Sequence, residues 1–209
     1  MIKAVIFDFD GTLADTRHIV YKAYERLVEK HGFKKFSPEE LKAMKSLSVK
    51  ERFKRSGVPL FKLPQLVREA QAVYGEFIDL AVPYKDIPEL LQTLKKKGLR
   101  LYVISSNSVA NINIFLAAHS LELFVQVYSS SGLFGKHRTI NRLIENLGIQ
   151  KKEAVYVGDE VRDIIACKKA SVPIIAVTWG YDELHLLQES RPDFVVGSPS
   201  EILGLTAGA

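Results

Sequence analysis

The sequence predicts an α/β fold: a doubly wound parallel sheet with an α-helical domain inserted after the first strand. Three observations lead there. Five short apolar runs are continuous rather than alternating, as expected for strands buried on both faces. Helical patterns separate most of them, and strand–helix alternation of this kind places helices on both faces of a parallel sheet. One interval of more than 90 residues, between the first and second runs, breaks the alternation and reads as helical.

Taken in order, the first strand covers 4–7 and runs straight into Asp8, Asp10 and Gly11. Ile19, Ala23, Leu27 and Val28 then form an apolar stripe at helical spacing, ended by Gly32. Ser37-Pro38-Glu39-Glu40 is a capping box with proline at the first helical position. Ser48-Val49-Lys50-Glu51 is a second box, running to Gly57, and a longer pattern over 63–80 closes the interval. A helix over 86–97, with Pro88 early and Gly98 at its end, returns the chain to the sheet. The second strand, 101–104, precedes Ile112, Phe115, Leu116 and His119 at helical spacing. The third, 124–128, precedes Ile140, Leu143, Ile144 and Leu147, with Gly148 placed to stop that helix. The fourth, 154–157, leads to Ile164, Ile165 and Lys168; the fifth covers 174–178, and a weaker run at 194–196 reads as an edge strand. The expected division is a core of residues 1–15 and 82–209 and a helical insert of 16–81.

Composition excludes several classes. A hydrophobic fraction of 47% supports a substantial core. No apolar run reaches the roughly 18 residues that a membrane helix needs, so no membrane partner is expected. Asp8 follows one short strand, which argues against a secretory signal. The single cysteine, Cys167, sits among apolar residues of a helical pattern and fits a small packing residue in a reducing, cytoplasmic setting. Five histidines are scattered with no pair at metal-ligand spacing, which argues against zinc. The net charge of +5 is uneven: residues 17–80 hold 14 Lys/Arg against 8 Asp/Glu. Such a segment could steer an anionic substrate or be a solvated helix surface. No aromatic-interleaved basic patch accompanies it, so nucleic acid is not expected as a partner.

The chemistry sits at strand ends. Asp8 and Asp10 follow the first strand, Ser105-Ser106-Asn107 the second, Gly135-Lys136 the third, and Gly158-Asp159-Glu160-Val161-Arg162-Asp163 the fourth. Ligands of open α/β sheets bind at the carboxyl ends of strands, so the four pieces can line one crevice. Each alone has a bland reading: an Asp-Gly turn, a serine N-cap, a solvated lysine, a Gly-Asp turn. Together they are an anion site beside clustered carboxylates. Two like charges about 4 Å apart repel by about 4 kcal/mol at an effective dielectric near 20, so the carboxylates call for a cation. All-oxygen ligands suit Mg²⁺, which in turn suits a phosphate substrate. An aspartate can attack phosphorus to give an aspartyl phosphate, and a second acid can protonate the leaving group and then activate water. Asp8 and Asp10 suit those roles.

Asp8-Phe9-Asp10-Gly11-Thr12-Leu13-Ala14-Asp15 resembles the first motif of the haloacid dehalogenase-like hydrolase superfamily. Ser105, Lys136 and Gly158-Asp159 with Asp163 stand where its second, third and fourth motifs belong. The helical insert is similar to the cap of the phosphoglycolate phosphatase-like branch, as is the ending Arg191-Pro192-Asp193-Phe194-Val195-Val196, so the resemblance spans the chain. It implies a Rossmann-like core, Asp8 as nucleophile and Asp10 as general acid/base. It implies Mg²⁺ held by the Asp8 side chain, the Asp10 backbone carbonyl and Asp159, with Asp163 supporting through water or Lys136. Ser105 and Lys136 would hold the phosphoryl group, helped by the backbone of Phe9, Asp10 and Ser106. His137-Arg138-Thr139 follows the lysine where many members have proline, and Glu160 stands where phosphoglycolate phosphatases often have threonine. Glu160 reads as a helix N-terminal residue that complements the dipole rather than as a metal ligand.

The expected function is a Mg²⁺-dependent phosphatase acting on a small phosphorylated metabolite, with phosphoglycolate as the default of that branch. Residues 45–52, with Lys45, Lys50 and Arg52, are the expected contact for the substrate's far end. Two alternatives use the same parts: a sugar-phosphate mutase with the same aspartyl phosphate, and a non-catalytic phosphate-binding module. Asp10 resembles the phosphotransferase version of the motif rather than the dehalogenase version.

Overall fold

Sheet and helices alternate along the chain as β1 (Ala4–Phe7), β2 (Ala14–Asp15), α1 (Arg17–His31), α2 (Pro38–Lys45), α3 (Val49–Ser56), α4 (Leu63–Glu76), β3 (Val82–Pro83), α5 (Ile87–Lys96), β4 (Arg100–Ser105), α6 (Val109–Ala118), β5 (Gln126–Ser129), α7 (Lys136–Leu147), β6 (Ala154–Gly158), α8 (Val161–Ala170), β7 (Ile174–Val177), α9 (Leu184–Glu189), β8 (Phe194–Val196) and α10 (Pro199–Ala207). The structure, a computed structural model, describes residues 1–45, 47, 49–130 and 135–207, and the backbone alone at 38, 42, 45, 49, 50, 52, 53, 60, 63 and 207. Six strands form one parallel sheet in the order β5-β4-β1-β6-β7-β8. The order reverses at β1, whose Phe7 pairs with Val103 on one side and Val157 on the other. The carboxyl ends of β1, β4 and β6 therefore open together at the switch point, where such sheets hold ligands.

Alternate residues of the strands feed two cores. Val5, Phe7, Leu101, Val103 and Val155 pack with Leu91 and Leu94 of α5 and Ile112 and Phe115 of α6. Ala4, Ile6, Tyr102, Ile104 and Tyr156 pack with Ile140 and Leu143 of α7 and Ile164 of α8 on the other face. The helical stops are as expected: Gly32 and Gly148 take φ of 64° and 60°, a left-handed conformation that glycine adopts without a Cβ clash. The first capping box closes, with Ser37 N–H on Glu40 Oε2 at 2.9 Å and Glu40 N–H on Ser37 Oγ at 3.2 Å. Ser48 of the second box lies outside the described residues, as do the side chains of Lys45, Lys50 and Arg52.

Four details differ from the expectation. The third core strand starts at Gln126 rather than 124, because Phe124 leaves the ladder to pack edge-on against Phe7, 6.2 Å between ring centres. Ile165 is 48% exposed; the buried side of α8 is Asp163, Ile164, Ala166, Cys167 and Ala170, so only part of that apolar pattern marks core. The pattern over 63–80 is α4 followed by a separate 3₁₀ turn, Ile78–Leu80. Finally, the long interval holds two short strands: β2 and β3 pair antiparallel, Ala14 with Pro83 and Asp15 with Val82. This ladder straps together the two chain segments that join the helical insert to the sheet, and we propose residues 16 and 81 as the limits of the insert. No helix among the described residues is long and apolar enough to cross a membrane.

Candidate active site

The loop after β1 is wound around one carbonyl. Phe9 O accepts from Thr12 N–H, Leu13 N–H and Ala14 N–H at 3.3, 2.9 and 3.1 Å. Gly11 completes the turn with φ +81°, and a Cβ there would run into the Asp159 carboxylate and the Tyr181 ring. The winding buries the Phe9 side chain against Phe115, 5.0 Å between ring centres, and leaves Asp8 facing the crevice. Asp8 is 1% exposed. Its Oδ1 accepts the Phe9 N–H at 2.8 Å and its Oδ2 accepts Lys136 Nζ at 2.8 Å.

Lys136 is the first residue of α7 and also donates to Asp163 Oδ1 at 2.5 Å. Burial alone would lower its pKa, but Asp163 and Asp8 carry it above the ordinary lysine value. Asp163 in turn is raised to about 6, by burial first, against the opposing pull of Lys136. Its Oδ2 accepts the Glu160 N–H at 3.2 Å, so Asp163 also caps α8. Asp159 is fully buried between the Thr12 hydroxyl (2.7 Å) and the Tyr181 N–H (2.7 Å). Burial, then the Glu160 and Asp8 carboxylates, push its pKa well up. Asp8, Asp159 and Asp163 each bring an oxygen within 4.8 Å of the others. Lys136 offsets the charge of two of them, while the donors on Asp159 are neutral. Three buried carboxylates with one ammonium and an all-oxygen donor set suit a bound metal ion.

Asp10 points away from that cluster, toward the insert. Its Oδ1 accepts from the Thr16 hydroxyl and from Tyr74 OH of α4, each at 2.8 Å, and its Oδ2 accepts from Asn107 Nδ2 at 3.2 Å. Burial raises its pKa, with Asp8 adding to the rise, and the hydrogen bond from Tyr74 opposes it. Ser105 Oγ accepts the Asn107 N–H at 3.1 Å, and Ser108 caps α6 by accepting the Asn111 N–H at 3.1 Å. Ser106 O accepts from Gln71 Nε2 of the insert at 2.7 Å. Glu160 stands at the N-cap position of α8 with its carboxylate on Arg162, 2.6 Å away, in keeping with a helix-terminal role.

Asp8, Asp10, Ser105, Ser106, Lys136, Asp159 and Asp163 thus lie at the crevice, in two groups, while the Phe9 N–H, expected to help hold the phosphoryl group, is taken by Asp8 Oδ1. Asp8, Lys136, Asp159 and Asp163 form one, and Asp10 with the Ser105–Ser106 turn forms the other. Thr12, Thr16, Asn107, Tyr74 and Tyr181 complete it and were not among the expected site residues. Asn107 was visible in the quoted turn. Tyr74 and Tyr181 carry no local signal, since one lies in an ordinary amphipathic helix and the other in a loop after β7.

Fold and site together define a hydrolase that handles phosphate. A family model described as haloacid dehalogenase-like hydrolase matches residues 5–177, and the chain belongs to that family. A phosphoglycolate phosphatase from Synechococcus elongatus is 29% identical over 203 residues, covering 97% of this chain and 96% of that protein. A pyrophosphatase PpaX from Bacillus velezensis is 25% identical over 211 residues, covering 98% and 96%. Among solved structures, a haloacid dehalogenase-like family hydrolase from Streptococcus pneumoniae superposes with a TM-score of 0.82 at 21% identity, over 98% of each chain. CbbY from Rhodobacter sphaeroides, in complex with phosphate, superposes with a TM-score of 0.70 at 22% identity, over 97% and 96%. The chain is a haloacid dehalogenase-like hydrolase of the phosphatase kind. Its relatives divide between phosphoglycolate phosphatases and pyrophosphatases.

Proposed function

We propose that this protein is a Mg²⁺-dependent phosphatase that hydrolyses a small phosphate monoester through an aspartyl phosphate on Asp8. The observation that carries this reading is the Asp8 carboxylate, buried and oriented by the Phe9 N–H and Lys136, and within 4.8 Å of Asp159 and Asp163. Asp8, Asp159 and Asp163 would hold Mg²⁺, with the Asp10 carbonyl, and the ion would supply positive charge to the phosphoryl oxygens. Lys136, the Ser105 hydroxyl and the backbone N–H groups of Asp10 and Ser106 bind the phosphoryl group. An oxygen of Asp8 attacks phosphorus. The bond to the leaving oxygen breaks with its electron pair, and that oxygen takes a proton from Asp10. Water then attacks the phosphorus of the aspartyl phosphate and gives its proton to Asp10. The bond to Asp8 breaks and the carboxylate is restored. A carboxyl whose pKa is raised by burial suits the acid step, and the three donors around it fix its position.

The test is phosphate release by the purified protein from a panel that includes 2-phosphoglycolate and pyrophosphate, with Mg²⁺ and with chelator. Release that needs the metal and falls by about a thousandfold or more in Asp8→Asn supports nucleophilic catalysis at this residue. Equal release by the variant rules out Asp8 as nucleophile. Turnover only in the presence of a sugar bisphosphate identifies a mutase instead.

A further inference from the structure

Beyond Asp10 the crevice widens into a cleft of about 480 Å³ between α1, α4 and the strand ends, an ordinary size for a small-molecule site. Two helical stripes wall it. Val20, Ala23, Tyr24 and Leu27 recur on α1 at positions i, i+3, i+4 and i+7; Val67, Ala70, Gln71 and Tyr74 do the same on α4. Leu27, part of the apolar stripe read from the sequence, therefore turns to the cleft, and Val20 is 42% exposed. At the reacting end stand Asp10, Glu160, Asp182 and Arg162. Arg162 is the only Lys or Arg among the described residues lining the cleft; its Nη2 is paired with Glu160 Oε1 at 2.6 Å, its Nη1 reaches Ser106 Oγ at 3.4 Å, and its buried Nε has no hydrogen-bond partner among the described residues.

This lining is selective. The carboxylate of a glycolate group, or the second phosphate of pyrophosphate, would leave water for apolar walls and, among the described residues, meet three carboxylates and one guanidinium. Burying a charge without a partner costs several kcal/mol. An uncharged apolar group meets the opposite balance and gains by leaving water. A water occupies about 30 Å³ of liquid, so the cleft has space for a group of on the order of ten heavy atoms. We infer that the preferred substrate is the phosphate monoester of an alcohol with an uncharged, largely apolar body bulkier than glycolate, seated between the α1 and α4 stripes. The inference rests on the phosphatase reading above and narrows its substrate class.

The experiment is kcat/KM with Mg²⁺ for a series of n-alkyl phosphates from ethyl to hexyl and for phenyl phosphate, beside 2-phosphoglycolate and pyrophosphate. Each methylene buried is expected to raise kcat/KM about fourfold until the cleft is filled. The best apolar ester should exceed both anionic substrates by about tenfold or more. Ala70→Phe, which fills the cleft, should flatten the series; Ala70→Leu is the milder form should the larger side chain disturb folding. Val67→Arg should shift preference toward 2-phosphoglycolate. A flat series in the unaltered protein, or 2-phosphoglycolate or pyrophosphate as best substrate, overturns the apolar-substrate inference. If that release still depends on metal and Asp8, the phosphatase reading stands without it. No release from any compound overturns both.

Discussion

The hydroxyl of Tyr74 donates to Asp10 Oδ1 at 2.8 Å, so a helix of the insert ends its reach on the carboxylate proposed as acid and base. One turn earlier Gln71 donates to Ser106 O at 2.7 Å, while Asn111 Nδ2 of the core donates to Gln71 O at 3.0 Å. α4 thereby touches the two loops that hold the chemistry. Displacement of this helix would release Asp10 from one of its three side-chain donors and open the cleft.

Tyr74→Phe keeps the ring and removes only the donor. A hydrogen bond to a charged group contributes about 1.5–3 kcal/mol, which corresponds to roughly tenfold or more in rate if it serves to place Asp10. The loss should fall on kcat/KM, which reports formation of the aspartyl phosphate, for an alkyl phosphate, whose leaving oxygen needs a proton. It should be slight for nitrophenyl phosphate, whose leaving group departs without one. Equal losses on both substrates would show that Tyr74 supports the fold of the site and not the position of the acid.

Lys136 lies 2.8 Å from Asp8 and 2.5 Å from Asp163, with all three side chains buried. Removing one partner of such a group leaves uncompensated charge in the interior, at a cost of about 3–5 kcal/mol. Lys136→Met, similar in length, should lower the unfolding free energy by that amount in urea titrations without metal. Phosphate release should also vanish. A variant as stable as the parent would mean that the two aspartates shed their charge at no expense when the ammonium is gone.

How much of this was legible in the sequence follows from how local each signal is. A strand buried on both faces is an unbroken apolar run, so residues 4–7 could be bounded to the residue; 194–196 was bounded as closely because the edge strand is also continuous in apolar residues, although Phe194 and Val195 are exposed. Helix ends written in a glycine or a capping box, at Gly32, Ser37 and Gly148, were equally plain. Phe124 misled because a ring packed beside a strand has the composition of one. The clustered carboxylates and Lys136 were readable because each is an uneconomical residue at a strand end. Tyr74 was not, because it reaches Asp10 only through the docking of the insert, and Tyr181 was not, because it meets the Thr16 hydroxyl from a loop 165 residues away; both are tertiary relations with no trace in neighbouring residues. The cleft shows the same limit. Val20 and Leu27 are apolar at helical spacing whether they face a core or a substrate.

Asp159 accepts from Thr12 and Tyr181 and carries no cation of its own among the described residues. A ligand that binds only the folded state stabilises it by about 2.7 kcal/mol at a hundred times its dissociation constant. In a chain of this size that is roughly 5–10 °C in Tm. Saturating Mg²⁺ should therefore raise the melting temperature of the chelator-treated protein by several degrees, and Asp159→Asn should lose most of the shift. A shift unchanged in the variant would place the ion elsewhere.

The insert holds its own charge-dependent clasp. Glu69 of α4 accepts from His31 at the end of α1 at 2.8 Å, from Gln65 at 2.8 Å, and pairs with Lys30 at 3.0 Å. These partners, His31 first, lower its pKa from the ordinary glutamate value to about 2. A carboxylate with a depressed folded value stabilises the fold above its unfolded pKa. It loses that contribution as pH falls from about 4.5 through about 2. The melting temperature of the parent should exceed that of Glu69→Gln at pH 5 and 7, and the margin should shrink toward zero as the pH is lowered from 5 to 2. Added salt at pH 7 should narrow it as well, since the pair is at the surface. A margin that is constant from pH 7 to pH 2 would mean that Glu69 joins α1 to α4 through shape and neutral hydrogen bonds, with its charge contributing nothing.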